Sequence, residues 1–183
     1  MTVRIANAND GADVAEIYAP IVKDTFISFE DVPPTASEMS ARIEETLRTH
    51  PWLVVEEGGA ILAYAYATPH RSRAAYGWSC DVSVYVGENA RRTGAARTLY
   101  QHLFSTLIRQ GYSNTFAGIA LPNEASVGFH EHIGFEPVGI YPCVGFKKGS
   151  WRDVGWWSRP LQTLDNNPSQ PLPFSGNQDT FET

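Results

Sequence analysis

One stretch, Val82 to Leu107, constrains this chain more than any other: a strand runs into a basic, glycine-containing turn and on into a helix. Upstream, Cys80, Val82, Val84 and Val86 alternate with Ser79, Asp81, Ser83 and Tyr85, the period-two pattern of a strand over Trp78–Val86. Downstream, Leu99, Leu103 and Leu107 share one stripe of a helix that reaches about Gln110 and is closed by Gly111. Between them lies Arg91-Arg92-Thr93-Gly94-Ala95-Ala96-Arg97. Small residues at Gly94 and Ala96 let the backbone approach a ligand. The free N–H groups of the first helical turn and the positive end of the helix dipole favour an anion. On spacing alone, a solvated basic turn that merely caps the helix is the competing reading.

The three arginines stand out because the chain is otherwise acidic. Fourteen Lys and Arg against twenty Asp and Glu give a net charge of −6. That balance argues against clamping a nucleic-acid backbone, which needs a basic surface. It leaves room for one small anion at a local basic turn. The N-terminus lacks the basic and then apolar run of a signal peptide, and no run approaches the roughly 18 apolar residues of a membrane span. A cytoplasmic protein without membrane or nucleic-acid partners is expected. Cys80 and Cys143 form no CxxC unit, so no metal site is expected. Both are read as buried, reduced thiols.

The 183 residues suit one domain with an appendage. A strand at Val3–Ala6 precedes a helix capped by Asp10, which Pro20 should end or kink. Thr35 and Glu38 form a capping box before Met39, Ile43 and Leu47 at helical spacing. Trp52–Glu56 and Ala60–Thr68 flank Gly58-Gly59, a hairpin signal. Asn114–Leu121 is a strand, Glu124–Ile133 a short helix, and Glu136–Phe146 with Trp151–Leu161 a final hairpin turning at Lys147 and Lys148, which read as solvated. The segment after Leu164 has three prolines and no basic residue, so residues 165–183 read as an irregular tail, extended, disordered or docked on a partner. The order of elements implies an α/β fold, a mixed sheet with helices on its faces, occupying residues 1–164.

Arg91-x-x-Gly94-x-Ala96 resembles the pyrophosphate loop of the GNAT superfamily of N-acetyltransferases. Asn123-x-x-Ser126-x-x-Phe129-His130-x-x-x-Gly134-Phe135 is similar to that superfamily's second acetyl-CoA segment. The phrases Ile27-Ser28-Phe29-Glu30, Ala63-Tyr64-Ala65-Tyr66-Ala67, Ser83-Val84-Tyr85-Val86 and Trp151-x-Asp153-Val154-Gly155 look like phosphinothricin N-acetyltransferases and their methionine sulfoximine relatives. The resemblance covers roughly residues 3–162 and implies the GNAT fold with its C-terminal β-hairpin. It also implies acetyl-CoA as co-substrate, a small amino-acid-like amine as acceptor, and a homodimer built through the last hairpin. Val84, Tyr85 and Val86, the turn from Arg91 to Arg97, Asn123 and Ser126 then become the acetyl-CoA contacts.

The chemistry sets its own demands. An amine is mostly ammonium at neutral pH and must lose a proton before attacking a thioester. The carbonyl oxygen gains charge and needs a donor. Asp81, a charge on an otherwise apolar strand, matches the family's catalytic carboxylate, usually Glu; being shorter, it is expected to work through a relay water. On spacing alone a solvent-facing role is equally good. His130 matches a position where many relatives carry a Tyr that protonates the thiolate. Arg71, Arg73 and Tyr76, in the loop before the catalytic strand, and Phe29 with Glu30 are the expected acceptor contacts. Neither cysteine matches a motif position, so direct transfer in a ternary complex is expected. Two further readings stay open: acetylation of another amine, such as a peptide N-terminus or polyamine, and a CoA-binding sensor without catalysis. A polyamine would want carboxylates where Arg71 and Arg73 stand, and Asp81 with His130 argues for catalysis.

Overall fold

The leucine stripe of the third helix goes where its spacing sends it. In the computed structural model, which describes residues 1–176, Leu99, Leu103 and Leu107 are completely buried. Each contributes roughly 1.5–3 kcal/mol by leaving water. They sit in α3 (Ala95–Gln110), against one face of a seven-stranded mixed sheet. Its strands are β1 (Thr2–Ile5), β2 (Trp52–Glu57), β3 (Ala60–Pro69), β4 (Ser79–Val86), β5 (Asn114–Leu121), β6 (Glu136–Lys147) and β7 (Ser150–Pro160), in the spatial order β1-β2-β3-β4-β5-β7-β6. α1 (Gly11–Asp24) and α2 (Ala36–Leu47) cover the other face through Val14, Val22, Met39 and Ile43. The α/β architecture read from the sequence, with its closing hairpin, is the one formed.

The pairing pattern opens the sheet at its centre. β4 follows β3 along its whole length, from Cys80 opposite Pro69 to Val86 opposite Ala63. β5 likewise follows β7, from Asn114 opposite Pro160 to Leu121 opposite Asp153. β4 and β5, joined through α3, run parallel, as a helical crossover requires. They pair only from Ser79–Asp81 to Asn114–Phe116 and then separate. Beyond Asp81 the two strands form a V, and backbone polar groups on its inner edges lack the partner strand that would satisfy them.

Several local expectations need correction. Pro20 does not end α1, which continues to Asp24. Pro20 is exposed, so the Glu16 carbonyl deprived of its donor faces water. Asp10 does not cap α1; its carboxylate accepts two bonds from Arg4 at 2.8 Å and one from the Asn7 N–H, while Asn7 caps the preceding turn. Lys147 is not a solvated turn residue. It is buried, and its Nζ donates to the carbonyls of Val22 (2.8 Å), Ser28 (2.6 Å) and Glu30 (2.6 Å). Cys143 is exposed rather than buried, because the β6–β7 register shifts between Tyr141 and Gly145 and carries it outward. The tail from Asp165 to Gly176 docks on the chain's own body: the Leu172 N–H donates to the Gln110 carbonyl, the Phe174 N–H to Thr49, and the Trp78 indole to Ser169. The end of the expected tail, residues 177–183, lies outside the described residues.

Candidate active site

Gly94 is the pivot of the basic turn. Its φ of 91° is the left-handed conformation that a side chain would strain, and among the described residues a Cβ placed on it would meet nothing within 4 Å. The first helical bond of α3 runs from the Thr98 N–H to the Gly94 carbonyl at 3.0 Å. The N–H groups of Ala96 and Arg97 therefore precede the ladder, at the positive end of the helix. Arg91, Arg92 and Arg97 are exposed and make no ion pair among the described residues, and Thr93 Oγ1 is turned back to the Ala90 carbonyl at 2.7 Å. Together they suit a diphosphate.

From this anion site the V between β4 and β5 leads inward. The cleft, about 70 Å³, is lined by Val82, Ser83, Val84 and Tyr85 on one side and by Ala117 to Ala120 on the other. Val86 lies one residue beyond that lining. Asn123, Ser126, Tyr100 and His130 close the cleft from the helical face. Asn123 Oδ1 caps α4 (Glu124–His132) by accepting from the Ser126 N–H at 3.1 Å. His130 is buried, and burial holds its imidazole below the usual range. Its Nδ1 lies 2.8 Å from the Ser126 carbonyl, an acceptor, so Nδ1 carries the proton and Nε2 accepts from the Tyr100 hydroxyl at 3.2 Å. The sequence reading missed Tyr100.

Asp81 stands at the apex of the V, on the sheet face opposite Cys80, which is buried in the core with its thiol pushed up by burial. Its carboxylate is 26% exposed. Burial raises its pKa, and the hydrogen bond and charge of His70, with Arg71, oppose that rise. Its direct partner is a residue the sequence reading passed over: His70 Nδ1 lies 2.6 Å from Asp81 Oδ1. The hairpin register announces this neighbour, since Thr68 is opposite Asp81 and Pro69 opposite Cys80. The His70 ring stacks on Phe116 with centroids 4.3 Å apart, and Tyr76 and Trp156 stand edge-on at 5.9 Å each. Gly118 makes room for the Trp156 indole, because a Cβ there would sit 3.2 Å from the ring.

The expected acceptor residues divide into two groups. Arg71 and Tyr76 join the Asp81 cluster: the Arg71 guanidinium lies 5.4 Å over Trp156 and donates to the His70 carbonyl at 2.7 Å. The Trp156 indole N–H is buried without a hydrogen-bond partner among the described residues. Arg73 is exposed and shares none of these ring contacts. Glu30 is engaged by a two-pronged ion pair with Arg42, both bonds 2.8 Å, which lowers its pKa, and it accepts from Tyr18. Phe29 is 41% exposed and covers Gly145 of the last hairpin.

A helix N-terminus suited to an anion, a cleft between parting strands and an acid–imidazole pair at the point of parting thus lie on one mixed α/β sheet, an arrangement that suits a CoA-dependent acyltransferase. The chain belongs to the acetyltransferase (GNAT) domain family, whose model matches residues 3–156. It is 36% identical over 171 residues to a phosphinothricin N-acetyltransferase of Streptomyces viridochromogenes, covering 93% of this chain and 91% of that protein. It is 33% identical to an L-methionine sulfoximine/L-methionine sulfone acetyltransferase of Salmonella typhimurium, over 84% of this chain and 91% of the relative. A phosphinothricin acetyltransferase from Sinorhizobium meliloti, solved in complex with acetyl-CoA, superposes with a TM-score of 0.85 at 29% identity, covering 95% of this chain and 98% of that one. The chain is an acetyl-CoA-dependent N-acetyltransferase by family.

Proposed function

We propose that this protein acetylates the α-amino group of a small, anionic amino-acid-like acceptor of the phosphinothricin or methionine sulfoximine type. The observation that carries the acceptor class is the exposed Arg71 guanidinium beside the Asp81–His70 pair. A cation suits a carboxylate or phosphinate and disfavours a polyamine. The turn from Arg91 to Arg97 holds the CoA diphosphate, and the inner edges of β4 and β5 continue the sheet onto the pantetheine. A backbone N–H of the parted β4 serves the carbonyl oxygen as its charge grows.

Proton removal belongs to the Asp81 end of the cleft and thiolate protonation to the His130 end. Both His130 nitrogens are engaged inside the protein and Nε2 accepts from Tyr100, so His130 holds that hydroxyl at the cleft, where it relays to the thiolate the proton that the amine nitrogen loses once the C–N bond has formed. Transfer is direct, in a ternary complex, because Cys80 is buried on the opposite face and Cys143 lies in the hairpin. A cytoplasmic homodimer completes the reading. The edge strand β6 leaves Val138, Ile140 and Phe146 exposed, with Trp151 beside Phe146, an apolar patch that a second copy would cover.

The test is thiol release from acetyl-CoA across a panel of amino acids, phosphinothricin, methionine sulfoximine, spermidine and a short peptide. Turnover with the anionic amino acids supports the assignment. Turnover with spermidine alone, or with none of the panel, rejects it. Sedimentation of Phe146→Glu beside the parent tests the dimer, which should dissociate.

A further inference from the structure

Asp81 is not a free carboxylate. One oxygen is committed to His70 at 2.6 Å, a short, charge-assisted distance. A carboxylate can only accept, so His70 Nδ1 is the donor, and whenever the ring is neutral its lone pair lies on Nε2. Among the described residues Nε2 has no hydrogen-bond partner. The ring is fixed by stacking on Phe116, the residue paired with Asp81 where β4 and β5 part, and by Tyr76 and Trp156 on its flanks. The same cluster holds Arg71, the group that suits the acceptor's anion.

We propose that His70 Nε2 is the atom that takes the acceptor's proton, and that Asp81 is a positioning residue that holds the imidazole in the correct tautomer and steadies its charged form. This deepens the acetyl-transfer reading above and rests on it. It replaces the relay water expected from the shortness of Asp81: the imidazole itself spans the distance. The ammonium gives one proton to Nε2, forming an imidazolium against the Asp81 carboxylate. The freed lone pair forms the C–N bond to the thioester carbonyl carbon, and the carbonyl π pair moves onto oxygen. When that pair returns, the C–S bond breaks and its electrons leave on sulfur. The second proton of the new C–N nitrogen ends on the thiolate, and His70 returns its own to solvent. Among the described residues the charged and titratable groups facing the ring are Asp81 from β4, and Arg71 and Tyr76 from the loop; β5 and β7 present the uncharged Phe116 and Trp156.

The experiment compares His70→Phe, which keeps a stacking ring, with Asp81→Asn, which keeps the shape, in the full chain. Acetyl-CoA affinity, kcat and the pH–rate profile are read for each. General base catalysis is worth roughly 10²–10⁴ in rate. His70→Phe should lose kcat by that order and with it the ascending limb of the profile, at unchanged acetyl-CoA affinity. Asp81→Asn should also lose kcat, because its amide can donate to Nδ1 and leave Nε2 protonated, so the loss in His70→Phe with Asp81 intact is what identifies the base. Parental kcat in His70→Phe, with the limb abolished in Asp81→Asn, overturns the proposal and makes Asp81 the base. A readout independent of turnover is the imidazole nitrogen NMR of the unliganded parent, with His70 assigned by substitution. Protonated Nδ1 and unprotonated Nε2 at pH 8 support the proposal; the reverse tautomer overturns it, even for variants that fold poorly. Absence of turnover in the parent with every acceptor would instead reject the acetyltransferase assignment and leave that tautomer measurement standing.

Discussion

At the scale of single residues, the acetyl-CoA and acceptor ends of the site separate into different kinds of perturbation. Gly94, at a φ of 91°, has open space where a Cβ would stand, among the described residues. Gly94→Asp puts a strained side chain and a negative charge where a diphosphate is to sit. Acetyl-CoA affinity should fall at least tenfold, about 1.4 kcal/mol, measured by calorimetry; undiminished affinity in a folded variant would move the diphosphate elsewhere. Arg71 acts on the other substrate. Loss of a charge-assisted hydrogen bond costs roughly 1.5–3 kcal/mol. Arg71→Ala should therefore raise the acceptor KM ten- to a hundredfold and leave the acetyl-CoA KM nearly unchanged. The rise should exceed that of Arg73→Ala, because Arg73 stands outside the Trp156 cluster. Equal losses for both substrates would mean general disruption.

At the scale of elements, the site was legible where a motif is local and hidden where contact is made by folding. The turn from Arg91 to Arg97 and the Asn123 cap of α4 are each set by neighbours within a few residues, so their spacing in the chain already carries their geometry. His70 and Asp81 meet only when β3 and β4 pair, and Tyr100 meets His130 only when α3 and α4 dock on one face. Pro20 misled because a proline weakens a helix locally, whereas the burial of Tyr18 and Val22 on either side holds α1 together. Lys147 misled in the opposite sense, since a lysine beside Lys148 and Gly149 looks solvated until the loop at 25–35 wraps it. That contact gives a prediction. Lys147→Met keeps the stem and removes an ammonium bonded to three carbonyls. Breaking it should cost about 2 kcal/mol or more, and each kcal/mol moves Tm by roughly 2–4 °C in a chain of this size. The fall should be about 4–8 °C by calorimetry, and unaltered melting would show that the loop holds without its strut.

At the scale of the whole molecule, the tail and the body share a buried histidine that makes the fold sensitive to acid. His50 is 4% exposed, held between Thr49 Oγ1 at Nδ1 and the Tyr112 hydroxyl at Nε2, both 2.8 Å. The tail straps this corner: the Phe174 N–H bonds the Thr49 carbonyl, and Leu172 lines a cavity of about 260 Å³ shared with His50 and Arg71. Burial pushes the His50 pKa down to about 4, below the 6.5 of an unperturbed imidazole. The sign follows from which state binds the proton first. Above about pH 6.5 neither the folded nor the unfolded chain protonates this ring, and its contribution to stability is complete. As pH falls from there toward 4, the unfolded chain takes up the proton and the folded one resists, so stability drops by at most about 1.4 kcal/mol per pH unit from this group. The measurement is the urea midpoint of the parent and of His50→Gln between pH 7.5 and 4.5. Carboxylates contribute to both slopes alike, so the comparison isolates the imidazole. The parent should lose stability more steeply on acidification, by up to one proton, with the excess confined to pH below about 6.5. Parallel slopes would mean that the corner opens and hydrates His50 before the fold as a whole gives way.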